Sequence, residues 1–217
     1  MQRPSLLSIG RAAVLAAIAG TTLFMQSSSA QASPAAEQFV ESNVQKGLDI
    51  LNNASLTKEQ RQVQFRGFLL TLTDLRRIAL YTLGPARRTA TATDQNAFVD
   101  AFREYAFAVY GAEFQKYSGQ TLKVTGSIER APGDELVRTV LVDPHAPKGQ
   151  EPIEVDFRVY NASGKFAVVD IVVAGLDLAI TEQDDFSSFL AQHGNNVKAL
   201  TQNLLQRAEH VRTTGQI

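Results

Sequence analysis

The chain has 217 residues, with 21 Lys and Arg against 22 Asp and Glu, and a formal net charge of −1. Interspersed charge of this balance supplies neither the basic stripe that a nucleic-acid backbone requires nor the polybasic surface that an anionic bilayer attracts. There is no cysteine and no tryptophan, so packing without disulfide staples must hold whatever core forms.

Met1 to about Ala32 reads as a secretory signal. Arg3 and Arg11 give it a positive start, Ala12–Met25 an apolar stretch, and Ala30-Gln31-Ala32 a small-x-small cleavage site. The apolar stretch falls short of the roughly 20 residues that span a bilayer. No cysteine follows it for lipid attachment, so the mature chain is expected to begin near Ser33 and to leave the cytoplasm. Residues 33–217 are expected to form one domain, with a mainly helical part over 33–92 and the remainder over 93–217.

Within it, the spacing of Phe39, Val40, Val44, Leu48 and Leu51 predicts a helix from Pro34 to about Asn52. Thr57 with Gln60 three residues on is a capping-box pattern, opening a second helix through Val63, Phe65, Phe68, Leu69 and Leu72. Asp74 caps a third, Leu75–Leu83, which Gly84-Pro85 stops. A long helix then starts at Thr93 or Asp94 and closes at Gly119.

That long helix carries two apolar stripes. Phe98, Phe102, Tyr105 and Val109 recur at the helical period, and Phe107, Tyr110, Phe114 and Tyr117 do so on a neighbouring face. A surface helix needs only one such stripe to meet a core. Two imply that something apolar lies beyond the usual core, and an apolar ligand is one candidate.

From Gln120 the period changes to two. Leu122, Val124 and Ile128 predict one strand, Pro132-Gly133-Asp134 a turn, and Leu136–Val142 a second strand. Ile153, Val155, Phe157 and Val159 alternate with Glu154, Asp156 and Arg158 as a third, and Lys165–Ala174 is a nearly continuous apolar fourth. Two helices follow, from about Asp184 to Gln192 and from Asn195 to about Arg212. The fold class is therefore α+β, a four-stranded antiparallel meander with helices across one face. Such a sheet forms a cup whose mouth is a common ligand site.

The ordered residues resemble the MlaC (toluene-tolerance) family of periplasmic lipid carriers. The helical half carries Asp74-Leu75-Arg76-Arg77-Ile78-Ala79, Leu83-Gly84, Phe98…Phe102 and Tyr110…Tyr117-Ser118-Gly119. The second half carries Val137-Arg138-Thr139, Pro152-Ile153-Glu154-Val155-Asp156-Phe157, Gly164-Lys165-Phe166 and Val169-Asp170-Ile171-Val172-Val173-Ala174-Gly175-Leu176, then Phe186 and Gly194. The chain departs from the family pattern at Glu182-Gln183-Asp184-Asp185, where an aromatic-Arg pair is common. It departs again at Phe166, where tryptophan is common, and at Ala174, where glutamate is common. A hopanoid-associated, HpnM-like branch resembles this pattern too. The resemblance implies an NTF2-like cup with a helical subdomain, an apolar cavity, no metal, no cofactor and no catalytic residues. It also implies partners: phospholipid or a related membrane lipid, an inner-membrane Mce-type ABC transporter complex and an outer-membrane lipoprotein–porin complex. A polycyclic or isoprenoid lipid is the ligand that the hopanoid-associated branch would imply.

The residues assigned to such a cavity are Phe98, Phe102, Tyr105, Val109 and Tyr110 on the long helix, with Val140, Val142, Val155, Phe157, Val169, Ile171 and Val173 on the sheet. The competing reading makes all of them ordinary core, with Phe107, Phe114 and Tyr117 packed on the first two helices. Arg76, Arg77, Arg87 and Arg88 gather around Gly84-Pro85. Arg87 and Arg88 are candidates for a lipid headgroup or an acidic partner, or else form a solvated helix end. His145, His193 and His210 fall in separate elements without metal-ligand spacing, and no nucleophile elbow, P-loop or dinucleotide fingerprint occurs. Asp170, a carboxylate inside an apolar run, admits an isomerase-like alternative with a neighbouring tyrosine. Strict alternation turns it away from the Val169, Ile171 and Val173 face, as a structural Asp bonded to Arg or to backbone. An adaptor without any cavity is the remaining alternative.

Overall fold

The structure is a computed structural model describing residues 33–216, so the export signal expected over Met1–Ala32 lies outside the described residues. Helix α1 spans Pro34–Leu51, α2 Lys58–Leu72 and α3 Leu75–Thr82. A 3₁₀ turn at Gly84–Arg88 leads to α4, Ala92–Gln115. Five strands follow: β1 Thr121–Ala131, β2 Asp134–Val142, β3 Ile153–Ala162, β4 Lys165–Val173 and β5 Leu176–Asp177. The chain ends in α5, Leu178–Gln192, and α6, Val197–Thr214.

Local chemistry sets the helix starts. The Thr57 hydroxyl accepts from Gln60 N at 3.2 Å while the Gln60 side chain accepts from Thr57 N at 2.8 Å, which completes the capping box. Asp74 caps α3 through Arg77 N at 3.0 Å. Two starts differ from expectation for the same reason, a cap placed earlier in the sequence. Thr91 accepts from Asp94 N at 3.1 Å and opens α4 at Ala92. Asp177 accepts from Ile180 N at 2.8 Å and opens α5 at Leu178, well before Asp184.

The sheet is an antiparallel meander in the order β1-β2-β3-β4-β5. The fifth strand is a correction to the four expected. Ala174 and Gly175 both take positive φ, 49° and 80°, in a two-residue turn that folds Leu176 back onto Val173. Gly133 at φ 75° turns β1 into β2, and a Cβ there would stand 3.1 Å from Asn161 O.

Two clusters make the interior. On one face of the sheet, Val137, Val159 and Val168 pack under Ala36 and Val40 of α1, and Phe39 stacks on Phe166 with centroids 5.4 Å apart. The larger cluster is helical. Phe98, Phe102, Tyr105, Ala101, Ala108 and Ala112 of α4 meet Phe186 and Leu190 of α5 and Leu200, Leu204, Ala208 and Val211 of α6. Among the described residues no helix is long and apolar enough to cross a membrane.

Candidate functional site

Helix α4 is flanked by two unfilled spaces. The first, about 140 Å³, is the cup expected between the long helix and the sheet. Its walls come from Phe102, Tyr105, Ala106, Val109 and Tyr110 of α4, Val168, Asp170 and Ile171 of β4, Ile78 and Thr82 of α3, and Leu178, Ala179 and Glu182 of α5. Thr73 closes one end, where it bridges to Val168.

Of the residues assigned to a cavity from the sequence, the structure brings Phe102, Tyr105, Val109, Tyr110 and Ile171 to this wall. Phe98 is wholly buried one layer back, edge-on to Phe186 at 5.9 Å and 85°. Val140 and Val142 are corrections. The β2 register turns Val137 and Thr139 inward, at 0% and 1% exposure, and alternation sends Val140 and Val142 off the opposite face. Phe157 pairs with Val137 and packs in the cluster under α1, Val155 pairs with Val173, and neither lines the cup. Val173 pairs with Val155 and Leu176 at the sheet's end.

A β-bulge explains the remaining mismatch on β4. Arg158 pairs with Asp170 but the next residue, Val159, pairs with Val168, so Val169 is the extra residue. Strict alternation fails there. Val168 therefore joins Ile171 at the cup, and Asp170 enters its wall instead of facing away. Asp170 Oδ1 accepts from Ile171 N at 2.8 Å and from Ala179 N at 3.2 Å, which ties β4 to the start of α5. Burial, and then the neighbouring Asp177, push its carboxyl up to about 6.

The hydroxyls of Thr73 and Thr82 donate to the backbone oxygens of Leu69 and Ala79, each at 2.9 Å, and Tyr105 and Glu182 are tied to side chains beside the cup. Arg207 Nη2 donates to the Tyr105 hydroxyl at 2.7 Å, and Arg207 Nη1 donates to Asp185 at 2.8 Å. The Tyr105 hydroxyl donates to Glu182 Oε1 at 3.5 Å, while Glu182 Oε2 is buried with no partner. Burial raises Glu182 and the Tyr105 phenol, and each lies close to the other. Burial also raises the Tyr110 phenol, followed by the carboxylates of Asp170 and Glu182. Tyr110 is nonetheless 39% exposed, on the wall of the cup. Asp170, Tyr105 and Tyr110 all line the cup, and among the described residues no hydrogen bond links the carboxylate to either phenol.

The second space, about 360 Å³, lies on the far side of α4 beneath α2 and against α6. Phe107, Tyr110, Gly111 and Phe114 of α4 face Val63, Phe65 and Leu69 of α2 across it. The second apolar stripe of α4 thus meets α2, with Phe65 and Phe114 rings 5.8 Å apart. The sequence places the apolar residues Val63, Phe65 and Leu69 on α2 but gives no sign that α4 stands off from them. Arg87 and Arg88 sit exposed on the 3₁₀ turn and line neither space. Among the described residues no group of three or more His, Cys, Asp or Glu is placed to hold a metal ion.

The geometry defines an α+β protein with a mostly apolar hollow between its long helix and its sheet. Residues 41–206 match the family described as MlaC protein, and the chain belongs to that family. Its fold is similar to the solved structure of the phospholipid-binding protein from Ralstonia solanacearum in complex with a phospholipid. That protein is 22% identical, with a TM-score of 0.66, over 78% of this chain and 97% of the other.

Proposed function

We propose that this protein is a periplasmic lipid carrier, exported by a cleavable signal over Met1–Ala32, that covers the hydrocarbon of a membrane lipid while moving it through water. The observation that carries this reading is the apolar hollow between α4 and β4 in a member of the MlaC family. A phospholipid occupies the related Ralstonia protein.

The physical need is plain. Exposing an alkyl chain to water costs about 0.8 kcal/mol per CH₂, so a sixteen-carbon chain costs on the order of 12 kcal/mol and two chains about twice that. A protein that replaces water with Phe102, Val109, Val168 and Ile171 lowers that barrier, and needs no nucleophile or metal to do so. No bond is made or broken. In this reading the lipid arrives from an outer-membrane lipoprotein–porin complex or leaves for an inner-membrane Mce-type transporter. Phospholipid is the expected cargo.

Native mass spectrometry of protein purified from a bacterial periplasm tests the proposal. A co-purifying phospholipid released on unfolding is the expected result. A polycyclic or isoprenoid lipid would place the protein with the hopanoid-associated carriers. A lipid-free protein that also takes up no lipid from vesicles would end the carrier reading.

A further inference from the structure

The cup is small for the task. An engineered void of about 150 Å³ takes up one benzene, so a 140 Å³ hollow matches roughly six carbons of a chain. The space beneath α2, at 360 Å³, is more than twice that size and matches on the order of a dozen carbons.

Helix α2 shows the same shortfall from its own side. It carries Val63, Phe65, Phe68, Leu69, Leu70 and Leu72, yet none of its residues is buried, and Val63 is 71% exposed. The helix is nevertheless held firmly. Its start carries the reciprocal Thr57–Gln60 cap, its end bridges Thr73 to Val168, and Phe68 sits against Gly47 of α1. A tethered helix with an unburied apolar face, standing over aromatic rings, keeps a space whose filling would remove apolar area from water. Arg66 and Arg212, both bonded to Glu104, line this space together with Glu59, Gln62 and Gln115, and the apolar side chains of α2 and α4 supply the rest of its wall. Tyr110 lines both hollows and is the partition between them.

We propose that the space beneath α2 is a second hydrocarbon chamber. One chain of a two-chain lipid lies there among Val63, Phe65, Leu69, Phe107 and Phe114, and the other enters the cup past Tyr110. The proposal rests on the lipid-carrier reading and adds to it which chains go where.

Gly111 gives a clean test. A Cβ built there meets nothing within 4 Å, so the side chain of Gly111→Phe can leave the backbone toward the chamber, which Gly111 lines. Replacing a mid-helix glycine also removes an unfavourable helix residue. Val63→Trp, from the opposite wall, is the second variant should the first fail to fold. Ala106→Phe, which fills the cup, is the reference. Each protein is purified from the periplasm, checked for its melting temperature, and its bound lipid quantified by mass spectrometry. Wild type is expected to carry two-chain lipid. The chamber variants are expected to shift the ratio of two-chain to one-chain or shortened species by at least about tenfold, the factor that roughly two displaced methylenes represent. A folded Gly111→Phe or Val63→Trp protein carrying the wild-type species in wild-type amount would overturn the second chamber, leaving the carrier reading intact and the α2 groove as a surface for a protein partner. Wild type devoid of lipid would instead remove the carrier reading itself.

Discussion

The two sides of α4 pack by opposite rules. Toward α6 the helix offers Ala101, Ala108 and Ala112, buried in one cluster with Leu204, Ala208 and Val211, and Ala108, Ala112 and Val211 mark where this seam meets the space beneath α2. Phe98 fills the remaining gap at 0% exposure, edge-on to Phe186. Toward α2 and β4 it offers Phe107, Tyr110, Phe114 and Val109, and the facing side is also bulky, with Phe65 and Leu69 on α2. Small against large closes a seam to crystalline density, whereas large against large props elements apart. One side is finished by the protein's own atoms. On the proposed reading the other is finished by cargo.

That contrast can be broken by substitution. Phe98→Ala removes a wholly buried ring from the closed side and is expected to cost about 4 kcal/mol in chemical denaturation. A loss below about 1 kcal/mol would show that this side is loose as well.

Asp170 tests the open side through pH. Its carboxyl is raised from 3.8 to about 6 in the folded state, so between those values the folded protein keeps a proton that the unfolded chain has released. Stability therefore falls as pH rises from about 4 to 6, and the penalty is complete above that range. Asp170→Asn keeps an oxygen for Ile171 N and Ala179 N and removes the charge. It is expected to gain on the order of 2 kcal/mol at pH 7 and almost nothing at pH 4. A loss at pH 7 would mean that the negative charge itself is needed in the cup wall.

Smaller effects belong to α2. Thr57→Ala breaks the reciprocal cap and is expected to cost about 1 kcal/mol, with faster amide exchange confined to α2. Exchange spreading into α4 would contradict the view that α2 stands apart from the closed side. Val63→Ala is expected to change the stability of lipid-free protein by no more than about 0.5 kcal/mol, since the residue is 71% exposed, and to cost more once lipid is bound. Equal effects with and without lipid would show that hydrocarbon does not reach Val63.

Much of the closed side can be read from the chain. The caps at Thr57 and Asp74, the Phe98–Phe102–Tyr105 stripe and the alternation of β3 follow from spacing and local hydrogen bonding. The starts of α4 and α5 could have been read from Thr91 and Asp177 as caps, but the apolar residues after Asp177 continue the run of β4 and hide the break. The open side is less legible because it depends on register. A single extra residue, Val169, reassigns Val168 and Asp170 to the cup, and no period-two pattern announces it. Val140 and Val142 read as inward for the same reason, since alternation gives two faces without saying which one a helix covers. The space beneath α2 is illegible in principle. Periodicity says that a helix has an apolar face, but not whether the elements opposite come close enough to fill it.

The most direct test is a crystal structure of the protein isolated with its bound lipid. Continuous alkyl density in contact with Phe102, Val109 and Ile171 between α4 and β4 is the predicted result. A lipid-loaded protein whose density lies wholly outside that hollow, with the hollow closed by its own side chains, would contradict the account.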